Sequence, residues 1–435
     1  MNMQPTSSSG KALAGLQSLL PDLEALYTDL HAHPELSMQE SRTANLVADR
    51  LRAAGYDVTT KVGKIGVVGL LRNGDGPAVM LRADMDALPI EEMTGLPYAS
   101  KAKATNREGK TVPVMHACGH DMHVAWLVGA TTLLAQARDA WRGTLMAVFQ
   151  PAEETAEGAQ AMIDDGLFNR FPKPDVVLGQ HVMVGPAGNI GGRAGSITSA
   201  ADNLQIRLFG RGAHGSMPQA SIDPVVMAAA TVMRLQTIVS RELAAAEAAV
   251  VTIGALQAGT KENVIPDDAV IKLNVRTFDA GVRKRVLAAI ERIANAEAAA
   301  SGAPRLPEIT MLDHYPLGVN DADASARVAD AFRQHFSADR VRQVEAASAS
   351  EDFGLFGTEW DVPSMFWFVG GTDPDVYAKA RVAGEVNKIP GNHSPFFAPV
   401  LHPTLETGVE TMVVGALAWL SGDGAAEAAG QAQAP

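Results

Sequence analysis

The chain has a single cysteine, Cys118, among 435 residues, so no internal disulfide can form, and the composition fits a reducing compartment. Positive charge is in deficit: 36 lysines and arginines stand against 49 aspartates and glutamates, a net charge of −13. Basic stripes and aromatic–basic alternation are both missing, which excludes nucleic acid and anionic membrane as partners. No apolar run reaches the roughly 18 residues of a membrane span. The first stretch, MNMQPTSSSGKALAGLQSLLPDL, carries only Lys11 and is broken by Gln17, Ser18 and Pro21, so it is a poor signal peptide. A soluble, cytoplasmic protein is expected. The length suffices for two or three domains with sizeable cores, so a bound metal would serve function rather than folding. The tail, 423–435, reads as disordered.

What is present is an α/β pattern with an interruption. Up to residue 195, helical stretches (39–54, 121–137) alternate with the apolar runs IGVVGLL (65–71), AVMLRA (78–83), TLMAVF (144–149) and VVLGQH (176–181). Between 196 and 314 the period changes. NLQIRLF alternates Leu204, Ile206 and Leu208 with Gln205 and Arg207, and IKLNVRTF alternates Ile271, Leu273 and Val275 with Lys272, Asn274 and Arg276. With helices at 222–243 and 281–299, a strand at 249–255 and a last strand near 308–313, the order is β-α-β-β-α-β, that of a ferredoxin-like sandwich. The α/β character returns over 315–422, with helices at 321–336 and 403–420 around an apolar strand at 362–370. The expected architecture is one α/β domain, 1–195 plus 315–422, holding a four-stranded insert at 196–314.

The stretch HACGHDMHVAW sets Cys118 among His116, His120 and His123. Cys118 and His120 would point about 200° apart on a helix, so only a turn can make them converge. Gly119 supplies the freedom for one at a helix start, where a thiolate is stabilised. On these residues alone a metal ligand, a nucleophile and a buried core cysteine all stay open. The next strand runs into FQPAEE. The adjacent side chains of Glu153 and Glu154 leave the backbone in different directions, so one carboxylate can hold a metal while the other serves as general base. Those acids also suit the start of a helix. A further strand ends at His181, the acidic loop RADMDALP follows the strand at 78–83, and GNHSPFF places His393 in a loop. Most of these groups lie just past the carboxyl end of an apolar strand, where open α/β sheets place their sites. A thiolate, three imidazoles and a carboxylate exceed what one tetrahedral ion takes, and with bridging they suit two metal ions. His314, His335 and His402 have weaker claims.

Two other signals carry no chemistry. Ser100-Lys101-Ala102-Lys103 fits S-x-x-K but lacks the companion motifs and sits in a polar loop. Gly63, Gly66 and Gly69 lie in strand-like sequence rather than opening a helix, so no dinucleotide site follows.

Together, HAHPELS, RADMDALP, HACGHDMH, QPAEE, the strand ending in His181, GAHGSMP with IDP, NVIPD, SEDF and NHSPFF resemble, in this order, the metal-dependent amidohydrolases related to aminoacylase. That group includes hippurate hydrolase and the indole-acetyl-amino-acid hydrolases, and the resemblance spans about 20–420. It implies an α/β metallopeptidase-like catalytic domain whose insert is a lid and dimerisation domain. It further implies two divalent ions, zinc or manganese, held by Cys118 (bridging), His120, Glu154, His181 and His393, with Glu153 as general base. His214 and Asn263 resemble lid residues that polarise the scissile carbonyl or hold substrate. Arg276 resembles a binder of the substrate carboxylate, and Asp86 a carboxylate that orients a ligand histidine. His116 and His123 become supporting residues.

The chain departs from relatives at HVMVG after His181 and at Gln219 in the lid, which affects the pocket for the acyl group or amino acid. The implied activity is hydrolysis of a small-molecule N-acyl amino acid by a homodimer or higher oligomer. Peptidase action on dipeptides or C-terminal residues is the alternative. A Cys118 nucleophile activated by His116 or His120 would leave Glu153, Glu154, His181 and His393 without a task, and a non-catalytic binder would be expected to lack Glu153.

Overall fold

The computed structural model describes residues 7–421, so the stretch 423–435, expected to be disordered, lies outside the described residues. Two compact units are formed: the described parts of Met1–Ile197, Val319–Glu345 and Asp352–Pro435 make one, and Thr198–Gly318 with Ala346–Glu351 make the other. In chain order the strands of the two main sheets are β1 (Asp57–Val62), β2 (Gly66–Asn73), β3 (Ala78–Asp84), β4 (Gly143–Gln150), β5 (Val176–Pro186), β6 (Ile190–Gly192), β7 (Ala200–Phe209), β8 (Ala249–Ala258), β9 (Asp268–Thr277), β10 (Glu308–Tyr315), β11 (Val341–Gln343) and β12 (Ser364–Thr372). The longer helices are α1 (Leu16–Ala32), α2 (Ser41–Ala53), α3 (His120–Gln136), α4 (Pro224–Thr237), α5 (Ala280–Ala300), α6 (Ala322–His335) and α7 (Leu401–Leu420).

The first unit holds an eight-stranded sheet in the order β1-β2-β4-β3-β5-β12-β6-β11. Its centre, β4, β3, β5 and β12, is parallel. These strands are almost wholly apolar because both sheet faces are covered. On one face Leu81, Phe149 and Leu178 pack with Leu30 of α1, Trp126 of α3 and Met412 of α7. On the other, Met80, Met146 and Val177 pack with Phe356 and Phe366. Parallel alignment brings the carboxyl ends to one edge: Asp84 is level with Gln150, and Arg82 is level with Gly179, two residues before His181. The loops beyond them carry Asp86, Glu153 and Glu154.

The second unit is an antiparallel sheet in the order β8-β9-β7-β10, and its elements follow one another as β7-α4-β8-β9-α5-β10, the expected β-α-β-β-α-β. The alternating residues Leu204, Ile206, Leu208, Ile271, Leu273 and Val275 form its core with α4 and α5. Both helices start on a side-chain cap: Asp223 accepts from Val225 N and Val226 N ahead of α4, with Pro224 at the first helical position, and Asp279 accepts from Val282 N ahead of α5. No helix among the described residues is long and apolar enough to cross a membrane.

Candidate metal centre

The turn at Cys118 has little freedom. Gly119 sits at φ +85°, and a Cβ there would lie 2.4 Å from Val182 Cγ1, so the position needs glycine both for its backbone and for space. Helix α3 begins at His120, immediately after this turn. Gly119→Ala is expected to lower stability by about 1–3 kcal/mol and to reduce bound metal, read by urea unfolding and metal analysis. Wild-type values for both would contradict this account of the turn.

The five predicted ligands come together in one cluster. Cys118 Sγ is 3.5 Å from His181 Nε2. Cys118, His120 and Glu154 each offer an atom within 4.8 Å of the others. His393 Nε2 lies 3.3 Å from Glu154 Oε2. His393 is half-exposed and held at φ +69°, with its backbone N–H on Ala117 O. Asn392 donates to both Cys118 O (3.1 Å) and Val182 O (3.0 Å), tying this loop to the turn and to β5.

The imidazoles are oriented by what their far nitrogens bind. His120 Nδ1 is 3.2 Å from Asp86 Oδ1, and His181 Nδ1 donates to Val182 O at 2.8 Å, so each turns Nε2 inward. His120 Nε2 and Glu154 Oε1 are both buried without a hydrogen-bond partner, and they face each other at 3.9 Å. Asp86 does more than orient His120: its carboxylate also accepts from Glu153 N and Glu154 N, each at 3.1 Å, and from Ser37 Oγ at 2.6 Å. Glu153 is 5 % exposed at the same turn.

Burial and neighbouring carboxylates set the electrostatics of the cluster. Burial, then the charges of Glu154, Glu153 and Asp84, push the Cys118 thiol well above its usual range. Burial opposes protonation of His120, but Asp84 and Asp86 outweigh it and push that imidazole up to about 10. Burial and neighbouring His123 hold His181 well below the usual range, in the neutral form a metal takes. A buried thiol, inward-facing nitrogens and unpaired carboxylate oxygen is a donor set that divalent zinc or manganese fits.

His123 and His116 take other parts. His123 accepts from Val182 N at Nε2 (2.9 Å) and bonds Asp84 Oδ1 at Nδ1 (2.5 Å), so both ring nitrogens are already bonded. His116 is buried with neither ring nitrogen bonded, and burial lowers it to about 4. His314, His335 and His402 belong to other surroundings: His314 pairs with Asp202, His335 stacks edge-on against Phe336, and His402 pairs with Glu24 and Glu406.

Several buried supports were not singled out from the sequence. Asp84 bonds Arg82 NH1 at 2.6 Å, and Arg82 also reaches Gln150 Oε1 and Asp352 Oδ1. Glu40, raised to about 8 by burial and by the charge of Asp86, accepts from Ala152 N at 2.7 Å and secures the turn before Glu153. His31 lies between Asp121 (2.7 Å) and Glu92 (3.1 Å), next to the start of α3. A readable signal existed for Asp84, which stands two residues before Asp86 in RADMDALP, and for His31 in HAHPELS.

The remaining predicted residues lie in the second unit. His214 pairs with Val264 in a short ribbon, and Asn263 O accepts from Gly215 N, so His214 and Asn263 are neighbours. His214 Nδ1 is 2.7 Å from Ser216 Oγ. Arg276, near the end of β9, is held by Asn274 Oδ1 (3.1 Å), Ser348 O (3.0 Å) and Ser350 Oγ (2.8 Å).

Comparison with known proteins identifies the family. Residues 80–382 match the sequence profile of peptidase family M20/M25/M40. The chain is 37 % identical over 366 residues to the N-acetyl-L-cysteine deacetylase of Bacillus subtilis, covering 83 % of this chain and 82 % of that protein. It is 39 % identical over 340 residues to the hippurate hydrolase of Campylobacter jejuni, covering 77 % and 85 %. Among solved structures it is similar to a dinuclear metal binding peptidase of the M20 family from Bacillus subtilis, with a TM-score of 0.73, 30 % identity, and coverage of 92 % of this chain and 98 % of that one. The chain therefore belongs to peptidase family M20/M25/M40, as a metal-dependent hydrolase of amide bonds.

Proposed function

We propose that the protein hydrolyses the amide bond of N-acyl amino acids, using two divalent ions, zinc or manganese, held by Cys118, His120, Glu154, His181 and His393. The observation that carries this reading is the inward-facing pair His120 Nε2 and Glu154 Oε1, buried and unbonded beside a buried thiol. Ions held by these residues would bring the pKa of water from 15.7 toward about 7 and would supply a Lewis acid for the acyl carbonyl. A thiolate favours zinc, while the carboxylate accepts either ion.

Glu153, with its backbone fixed by Asp86, takes the proton of the attacking water and passes it to the leaving amine. Glu154, its neighbour, serves as a ligand. His214 steadies the negative charge growing on the carbonyl oxygen, Asn263 holds the substrate, and Arg276 receives its carboxylate at Nη2, since Nε and Nη1 are engaged by Asn274, Ser348 and Ser350. The choice of acyl amino acids is supported by the named activities of the deacetylase and the hippurate hydrolase. We place the enzyme in the cytoplasm, as a homodimer or higher oligomer assembled through the insert. The lone cysteine and the family resemblance support this placement.

Screening metal-loaded protein against N-acetyl, N-benzoyl and indole-acetyl amino acids and against dipeptides tests the substrate class. Faster release of free amino acid from the acyl compounds is expected, and preferential cleavage of dipeptides would make the enzyme a dipeptidase instead. Arg276→Ala should raise KM for the preferred acyl amino acid about 10–100-fold with a smaller change in kcat. An unchanged KM would remove Arg276 from substrate binding.

A further inference from the structure

A cavity lies in the first unit, on the other side of β12 from His181. In the sheet order β5-β12-β6-β11, β12 pairs Phe368 with His181 on one side and Val369 with Ile190 on the other. The cavity, of about 210 Å³, is bounded by α6, β6, β11 and β12. Phe332, Met365 and Trp367 contribute buried apolar side chains to its lining. Ala322, Ala326 and Ala329 fall on one face of α6, and their small side chains leave the space that larger ones would fill.

The charged part of the lining is one-sided. Arg193, Arg333 and Arg342 line the cavity and no carboxylate does, in a chain with 49 acidic residues against 36 basic ones. Arg342 uses Nε on the Asp339 carbonyl (3.1 Å), Arg333 uses NH1 on Asp330 (2.7 Å), and Arg193 NH1 is 3.5 Å from Glu345. A guanidinium has five N–H donors, so these contacts leave capacity for an anion. Arg333 and Arg342 are exposed, which puts the charge at the solvent side and the apolar surface inward. Ser325, also in the lining, has a buried Oγ without a hydrogen-bond partner.

We infer that this cavity binds a small amphipathic carboxylic acid, separately from the metal cluster, with its aromatic or short aliphatic body against the alanine face of α6 and its carboxylate at Arg333 and Arg342. The size agrees: an apolar cavity of about 150 Å³ takes benzene, so the larger one here accepts a phenyl ring with a short chain. The guanidinium fork provides paired donors for a carboxylate.

Calorimetric titration of the metal-loaded enzyme with 3-phenylpropionate and with its neutral amide tests the site. Saturable binding of the acid is expected, with weaker binding of the amide. The double variant Arg333→Ala/Arg342→Ala should weaken acid binding about tenfold or more. Ala329→Phe, which fills the space, should abolish it, and should Ala329→Phe not fold, the surface arginine variant still decides. All folded variants should retain the kcat/KM of the wild type. The inference is overturned by absence of saturable binding to the wild type, by unchanged affinity in the double arginine variant, or by strict competition between the acid and the substrate.

Discussion

Replacing Glu153 by Gln should lower kcat about 10²–10⁴-fold while leaving bound metal unchanged. Glutamine keeps the size and much of the hydrogen bonding of glutamate but cannot take a proton at the reaction's pH. The backbone should stay in place because Glu153 N and Glu154 N are both held by Asp86, at 3.1 Å each. Glu154 keeps its contact with His393 at 3.3 Å, so the ligand set is not expected to change. Single-turnover kinetics beside elemental analysis separates the possibilities. Near-full activity would sink the general-base assignment, and loss of metal would move Glu153 into the ligand set.

Removing Asp86 should have the second large effect. One buried carboxylate receives Ser37 Oγ, His120 Nδ1 and the backbone N–H groups of Glu153 and Glu154. Losing a partner that orients a ligand histidine typically costs about 10–100-fold in metal affinity. The donors left buried would add about 1–3 kcal/mol of destabilisation for each one that finds no water. Asp86→Ala is therefore expected to show weaker metal binding in chelator competition together with a lower unfolding midpoint. Asp86→Asn should be intermediate for His120, but its amide NH₂ would oppose a backbone N–H. Wild-type metal affinity in Asp86→Ala would show that the turn at Glu153 and the ring of His120 hold their positions by other means.

The architecture was legible wherever the sequence carries a sustained apolar pattern. The alternation around Leu204–Leu208 and Ile271–Val275 marked the inserted sheet, and the apolar runs ending near Asp84, Gln150 and His181 marked the parallel core. Short edges were not legible: β6 and β11 have three residues each, too few to show a period, and the two glycines of β6 look like a loop. Nor did the sequence show that Ala346–Glu351 groups with the insert, where Ser348 and Ser350 hold Arg276.

The site divides in the same way. Residues carried by motifs could be named in advance, and Cys118, His120, Glu154, His181 and His393 are found together. Residues whose meaning lies in a distant partner could not. Arg82 and Asp352 are 270 positions apart, and Glu40 and Ala152 are 112 apart. A buried arginine in a central strand reads simply as a break in an apolar run until Asp84, Gln150 and Asp352 are seen around it. His123 shows the limit most clearly. It stands three residues from His120 in the same motif, yet its nitrogens are taken up by Asp84 and Val182, which only the fold brings near.

Counting metal ions per chain in active enzyme, alongside Cys118→Ser, tests the central claim most directly. The account predicts two divalent ions in the wild type, with loss of metal and of amino-acid release together in the variant. Full activity with one ion or none in the wild type, or an inactive Cys118→Ser protein that retains both ions, would contradict a thiolate shared by a metal pair.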